Sequence, residues 1–353
     1  MNHGSRIEAL RTTLDSPLLV SRLPNLRYLT GFTGSNGYLL LDPAGSDTFV
    51  TDGRYGEMAE GLVAALPGVE LVVYTSGMWD VLRRLATAAG SVALEEGGVT
   101  WEFADQFASE TGVQPGRAGG AVEELRRTKS AEEIAALGEA AAAGDSAFAI
   151  IGRLAAGADS EVALGWALID EMRARGADAA GWEAIVAAGA GASIPHYRSG
   201  RASVGRGLLL LDYGCVVDGY HSDMSRTVWL EGEPDHQIVQ IHGAVLEAQE
   251  AGLAAIAAGV SCGDVDEAAR AVLRAHGYEE HFLHSTGHGV GLEIHEAPWV
   301  RRGNDDLLRE GDVVTVEPGV YLPGVGGVRI EDMAVVTAGG CEVLTRSPKG
   351  LTL

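Results

Sequence analysis

GLLLLDYGCVVDGYHSDMSRTVWL, residues 207–230, is the stretch whose reading decides the fold. Two β-rich runs flank Asp218–Gly219, a pair favoured in two-residue hairpin turns because both central positions need positive φ. That turn places Val217 opposite Tyr220 and Gly214 opposite Asp223. Side chains alternate along a strand, so Asp212 lies on the face of Gly214. Asp212 and Asp223 then become diagonal cross-strand neighbours with converging carboxylates. Like charges brought together repel and raise one pKa; a bound cation removes the conflict. Either aspartate alone reads as a solvated strand-end residue. Two on one face, beside the apolar run 208–211, favour a ligand pair.

Outward from there, VVTVEPGVYLPGVGGVRIEDMAVV (313–336) is a second hairpin-like unit with a glycine-rich connection. Val314 and Val316 alternate with Thr315 and Glu317, and Val328 and Ile330 with Arg329 and Glu331. One carboxylate from each strand is aimed at a common side. Plain amphipathic strands would alternate in the same way, yet Pro318 directly after Glu317 marks a sharp turn at a pocket. Arg329 shares the face of Glu331 and is placed to neutralise or orient it. Between the hairpins, HSTGHGVGLEIHEAP (284–298) holds His284, His288 and His295, three of the chain's ten histidines. Glycines around His288 let backbone or substrate approach closely. A lone histidine is usually a surface or satisfied core residue; three at a glycine-rich turn between acidic hairpins point to a site.

Four carboxylates and one imidazole suit two hard or borderline divalent cations such as Mn²⁺, Co²⁺ or Zn²⁺. Two ions about 3.5–4 Å apart lower the pKa of a shared water and polarise a carbonyl, so hydrolysis is the natural reaction. The sequence has no HExxH and no GxSxG elbow, which argues against a zincin and a serine hydrolase.

Composition narrows the classes further. The 353 residues are 46% hydrophobic, enough for two domains with a sizeable core. A net charge of −23 argues against nucleic acid as a partner, because phosphate binding needs a basic surface. Cys215, Cys262 and Cys341 are far apart and form no CxxC, so no disulfide framework or cysteine zinc site is expected, in keeping with a reducing cytoplasm. The N-terminal MNHGSRIEAL has no apolar h-region, and no run approaches the roughly 18 apolar residues of a spanning helix, so no membrane association is expected.

The first part of the chain alternates strands and helices. Strands are expected at 17–23, 69–74 and 92–96, with a hairpin over 38–55. Helices are expected up to Leu66, over 79–89 and from Thr100. This alternation favours an α/β layer. TGVQPGRAGG (111–120), rich in Gly and Pro, reads as the linker. Ser130 and Glu133 then form a candidate capping box, and Ile134, Leu137, Ala141, Phe148 and Ile151 recur at helical spacing. Further helices are marked by Leu164, Leu168 and Met172, by Ile238, Ile241 and Val245, and by Val265, Ala269 and Val272. Strand-like runs at 207–217, 220–230, 312–317 and 327–336 complete a second domain of helices on a largely antiparallel sheet.

LLLDYG, GYHSDMSRT, HSTGHGVGLEIHE, VEPGVY and VRIEDM resemble, in order, the pita-bread metallopeptidases: methionine aminopeptidase, aminopeptidase P and prolidase. RYLTGFTGSNGYLLLDPAG, TDGRY, LRRTKSAEEI and WEAIVAAGAGASIPHYRSG are similar to the proline-specific branch. The resemblance implies an α+β fold, with a pita-bread (creatinase/aminopeptidase-like) catalytic domain at 123–353. A smaller N-terminal α/β creatinase-like domain at 1–122 would serve substrate gating and dimer contacts. It further implies that Asp212 chelates one metal, that Asp223 and Glu331 bridge both, and that His288 and Glu317 complete the other. Two Mn²⁺ ions are implied, with Co²⁺ or Zn²⁺ as alternatives. His196, His284 and His295 would contact substrate or stabilise the tetrahedral intermediate. Glu317 would move the proton from water to the leaving imino nitrogen, and Arg329 would support the ligands.

The implied reaction is hydrolysis of the Xaa-Pro bond at the N-terminus of short peptides, as in an Xaa-Pro dipeptidase (prolidase). The alternative is an Xaa-Pro aminopeptidase acting on longer peptides. A homodimer is implied by the same resemblance. A non-catalytic pita-bread binding protein, or a creatinase-like hydrolase of a small amidino compound, is disfavoured because all five ligands are present. Arg198, beside His196, is either an anchor for the carboxylate of a short substrate or a solvated loop arginine.

Overall fold

Short strands alternate with helices through the first of two units in the computed structural model, which describes residues 1–353. Met1–Arg126 contains α1 (His3–Arg11), β1 (Leu18–Val20), α2 (Leu23–Thr30), β2 (Gly37–Leu41), β3 (Asp47–Asp52), α3 (Gly56–Val63), β4 (Val69–Tyr74), α4 (Met78–Ala89), β5 (Ala93–Leu94), α5 (Trp101–Thr111) and β6 (Gly116–Arg117). The strands form one sheet in the order β4-β3-β2-β1-β5-β6. Leu19, Leu40, Leu82, Leu94 and Phe107 are buried in one apolar cluster of this unit.

The segment 111–120, expected to be a linker, instead ends α5 and supplies the edge strand β6. Gly116 N–H donates to Val92 O and Ala118 N–H to Leu94 O. Both residues of β6 are exposed, so the backbone pairs while the side chains carry no apolar period. The two units divide between Arg126 and Arg127, inside α6 (Ala121–Arg127).

The second unit, Arg127–Leu353, begins with α7 (Ala131–Phe148), whose N-terminus carries the expected capping box of Ser130 and Glu133. The helical spacing from Ile134 to Ile151 is interrupted after Phe148, and α8 (Ile151–Gly157) departs at 57°. The bend brings Phe148 and Ile151 into the same cluster as α9 (Glu161–Ala174). There follow β7 (Ala179–Ala180), β8 (Ile185–Ala188), β9 (Gly207–Tyr213), β10 (Cys215–Val217), β11 (Tyr220–His221), β12 (Met224–Leu230), α10 (His236–Ala255), α11 (Cys262–Ala275), β13 (Gly287–Gly289) and β14 (Glu296–Val300). The last strands are β15 (Val313–Val316), β16 (Gly319–Leu322), β17 (Gly326–Arg329), β18 (Asp332–Thr337) and β19 (Gly340–Val343).

The expected antiparallel sheet is divided into four smaller ones: β11-β10-β7, β12-β9-β8, β14-β13-β15-β18-β19 and β16-β17. The runs 207–217, 220–230 and 327–336 each break into two strands, and 312–317 stops at Val316. β9 explains its four consecutive leucines. Leu209 and Leu211 face the cluster of α7–α9, while Leu208 and Leu210 face that of α10. A strand covered on both faces reads as a continuous apolar run. Each such buried leucine contributes about 1.5–3 kcal/mol, which fixes the register of the polar residues that follow. No single helix is long and apolar enough to cross a membrane.

Candidate metal centre

The first hairpin turns as its sequence requires. Asp218 and Gly219 have φ of 47° and 81°, as a type I′ turn demands. Val217 pairs with Tyr220, and Asp212 with Ser225. That register sets Gly214 against Asp223, where the ladder lapses. A Cβ on Gly214 would lie 1.8 Å from Ser222 O and 2.6 Å from the Trp182 ring. Only glycine lets the strands cross so closely. Freed from the ladder, the Asp223 N–H points at Met333 Sδ, 3.1 Å away, and its carboxylate turns to the side of Asp212.

The second hairpin repeats this plan. Val316 pairs with Asp332 and Gly319 with Arg329, so Glu317 and Glu331 face each other where one sheet ends and the next begins. Pro318 has no N–H to continue the ladder. Glu317 N–H donates instead to Thr286 O (2.7 Å), and Glu331 N–H to Ser225 O of the first hairpin (3.1 Å). His288 arrives on β13, where a bulge follows at Gly289. Bulges of this kind re-aim a side chain. Added Cβ atoms would come within 1.9 Å of Thr315 O at Gly287 and 2.2 Å of Ala297 O at Gly289.

All nine residues singled out from the sequence line one cavity of about 580 Å³. Asp212, Asp223, His288, Glu317 and Glu331 occupy it with His196, His284, His295 and Arg329. Asp223, His288 and Glu331 each offer a ligand atom, all within 4.8 Å of one another. His288 Nε2 lies 3.5 Å from Asp223 Oδ2 and 3.6 Å from Glu317 Oε1. The ring's Nδ1 is 3.0 Å from Gly289 O; a carbonyl only accepts, so Nδ1 carries the proton and Nε2 presents its lone pair.

Electrostatics point the same way. Burial, then the charges of Glu331, Asp212 and Glu317, push the Asp223 carboxyl well above its usual range. Burial and then Glu331 do the same to Glu317, while burial and then Asp212 raise Glu331 to about 8. Burial followed by His295 lowers His288 to about 4. Burial followed by Arg329 lowers His284 to about 3, and His295 is lowered chiefly by burial. Without a cation, burial and mutual repulsion keep these acids from ionising together, beside imidazoles whose pKa values burial lowers. Asp212 Oδ1 is buried without a hydrogen-bond partner, although its Oδ2 accepts from Arg329 Nη2 at 2.6 Å. An orphaned buried acceptor beside other acids calls for a cation. The donor set therefore fits divalent metal ions.

Arg329 serves a different acid from the one expected. Its guanidinium pairs with Asp212 and reaches Glu331 only through Ser225, whose Oγ accepts from Arg329 Nε and donates to Glu331 Oε2, both at 2.8 Å. Arg329 Nη1 donates to the Tyr321 phenolic oxygen Oη (2.7 Å), and the Tyr321 O–H to His284 Nε2 (2.8 Å). His284 Nδ1 meets Ser285 O at 2.9 Å, so both nitrogens of this ring have protein partners. The His295 ring stands edge-on to His288, 4.3 Å between centroids. His196 and Arg198 are exposed, and Arg198 is not among the lining residues.

Sequence reasoning missed the apolar wall of Trp182, Ile185, Ile294 and Trp299, and the connectors Ser225 and Tyr321. Each connector lies inside a motif already singled out, one in DMSRT and the other in VEPGVY. The alternation that places Ser225 opposite Asp212 was available from the turn alone.

Comparisons with known proteins bear on the whole chain. Residues 135–338 match the model of metallopeptidase family M24, and residues 6–128 match that of the creatinase/prolidase N-terminal domain. The Xaa-Pro dipeptidase of Pyrococcus furiosus is 31% identical over 95% of this chain and 94% of its own length. Among solved structures, an Xaa-Pro dipeptidase from Bacillus anthracis superposes with a TM-score of 0.94 at 36% identity, covering 100% of both chains. An X-Pro aminopeptidase from Thermotoga maritima gives 0.88 at 32% identity, covering 99% of this chain and 100% of that one.

Proposed function

The chain belongs to metallopeptidase family M24, and from that premise we propose that it is an Xaa-Pro dipeptidase working with two divalent cations, manganese in the first instance. The carrying observation is the convergence of four carboxylates and His288 on one cavity, with Asp212 Oδ1 left unpartnered. Asp212, Asp223, His288, Glu317 and Glu331 would hold the ions. Bound there, such ions supply an activated water and an electrophile for the scissile carbonyl.

The chain's own residues do the rest. Glu317, on the cavity wall with its Oε1 3.6 Å from His288 Nε2, takes the proton of the attacking water and delivers it to the leaving imino nitrogen. His295 donates to the developing oxyanion, and His196 at the exposed rim contacts the substrate. His284, held by Tyr321 and Ser285, keeps the Glu317 side of the site in shape. Arg329 fixes Asp212. The apolar wall of Trp182, Ile185, Ile294 and Trp299 excludes water and accepts the proline ring.

A second reading, an Xaa-Pro aminopeptidase, has the Thermotoga maritima relative in its favour. We further place the enzyme in the cytoplasm, where its three free cysteines stay reduced. We also infer a homodimer, to be checked by light scattering, with the N-terminal unit gating substrate. The deciding experiment compares Ala-Pro with Ala-Pro-Xaa peptides under Mn²⁺, Co²⁺ and Zn²⁺. Release of proline from Ala-Pro is expected. Cleavage of the longer peptide alone would select the aminopeptidase, and no cleavage under any ion would end both readings.

A further inference from the structure

The motif LRRTKSAEEI remains without a task in the scheme above, yet its side chains reach three segments that carry cavity residues. Arg127, at 6% side-chain exposure, pairs with the fully buried Asp312 at 2.9 Å, just ahead of β15, the strand that leads into Glu317. Tyr220 O–H, in the turn before Asp223, donates to Glu133 Oε1 at 2.9 Å. Between them, Lys129 Nζ lies 2.8 Å from Glu296 Oε1, the side chains being 1% and 9% exposed.

Glu296 directly follows His295, and its carboxylate folds back over the loop that delivers that ring. A Cβ on Gly291 would lie 2.3 Å from Glu296 Oε1, so this glycine makes room for the carboxylate. Glu293 N–H donates to Glu296 Oε2 at 3.4 Å. Gly291 O accepts from His221 N–H at 2.9 Å. The loop 290–296 is thus wrapped around one carboxylate whose counter-charge is Lys129. Removing one partner of such a buried pair leaves an uncompensated charge, and the segment must move to solvate it.

We propose that Lys129 is a positioning residue that acts through Glu296 to hold His295 at the reacting carbonyl. It touches neither substrate nor metal. The inference rests on the peptidase reading, and a displacement of about 1 Å at a reacting group costs on the order of a hundredfold in rate.

The test follows hydrolysis of Ala-Pro with Mn²⁺, together with bound manganese measured on the same samples. Wild-type turnover is the control: its absence would refute the peptidase reading, and its presence isolates the role of Lys129. Lys129→Met should lower kcat at least about tenfold, with KM within about twofold and manganese content unchanged, while Lys129→Arg should restore most of the turnover. In a His295→Ala background, Lys129→Met should cost less than about twofold more, because residues acting as one unit are non-additive. Equal losses in both backgrounds, unchanged kcat in the single variant, or loss of manganese would overturn the proposal. Should Lys129→Met not accumulate as folded protein, Glu296→Gln carries the same comparison, with the same outcomes for and against.

Discussion

The two hairpins that line the cavity perform the same manoeuvre with different chemistry. Each runs from one sheet into another without losing register, and each exposes its acids at the seam. The first passes its seam at Gly214, where an added Cβ would strike a backbone oxygen at 1.8 Å. The second passes at Pro318, where the missing N–H ends the ladder. Their acids also differ in company. The Asp212 carboxylate of the first hairpin takes the guanidinium of Arg329 from the second, whereas the Glu331 carboxylate of the second takes the Ser225 hydroxyl from the first. Positive charge passes in both directions, since Arg226 of the first hairpin pairs with Asp332 of the second at 2.7 Å, yet neither guanidinium pairs with the carboxylates of the buried acids Asp223 and Glu331, which are left for cations to balance.

The largest expected effect breaks that balance. Asp223→Asn or Glu331→Gln should remove activity by more than about a thousandfold and lower bound manganese, since each deletes a charge the ions require. Full turnover on Ala-Pro in either variant would refute the ligand role. His295→Ala, outside both hairpins, should keep manganese and lose about a hundredfold in kcat. Metal loss in that variant would make the residue a ligand.

The seams themselves differ in tolerance. Gly214→Ala should destabilise the protein by about 3 kcal/mol through overpacking, measured by urea unfolding of the metal-loaded enzyme. Pro318→Ala should cost under about 1 kcal/mol, because it adds no heavy atom and the proline's fixed φ is its main contribution. Equal losses would mean that the two seams are not alternative solutions to one crossing.

The smallest effect concerns pH. Glu331 is raised to about 8 in the fold, against about 4.3 in an unfolded chain. Between these values the metal-free native state holds a proton that the unfolded state has released. Its stability contribution is therefore full below the unfolded pKa and is lost as pH rises through about 8. The melting temperature of metal-free wild type relative to Glu331→Gln should fall from pH 5 to pH 8.5. Manganese should restore it. A flat difference across that range would contradict the buried, repelled state of this carboxyl.

Much of this was legible because it depends on short-range rules. The Asp218–Gly219 turn fixed the partners of every residue from 207 to 230, and alternation then placed Asp212 beside Asp223. The four leucines before Asp212 announced a strand covered on both faces. Long-range pairing was not legible. Arg329 lies two residues from Glu331, yet its salt bridge goes to Asp212 in the other hairpin, and no local periodicity encodes that choice. Edge strand β6 escaped for the opposite reason. Its two residues are solvated and pair through backbone alone, so a Gly- and Pro-rich stretch passed for a linker. The strand runs were seen but not their division, because Gly214 and Pro318 interrupt hydrogen bonding without disturbing the alternation.

The bond from Glu331 N–H to Ser225 O, and that from Glu317 N–H to Thr286 O, carry a consequence for how the centre is inherited. The vessel is cast in main chain, and the acids are merely its lining. Any descendant sequence can exchange those acids for other side chains and still pour the same shape, so the ions are tenants of this architecture rather than its mortar. Stripping them should silence the enzyme while leaving its walls upright.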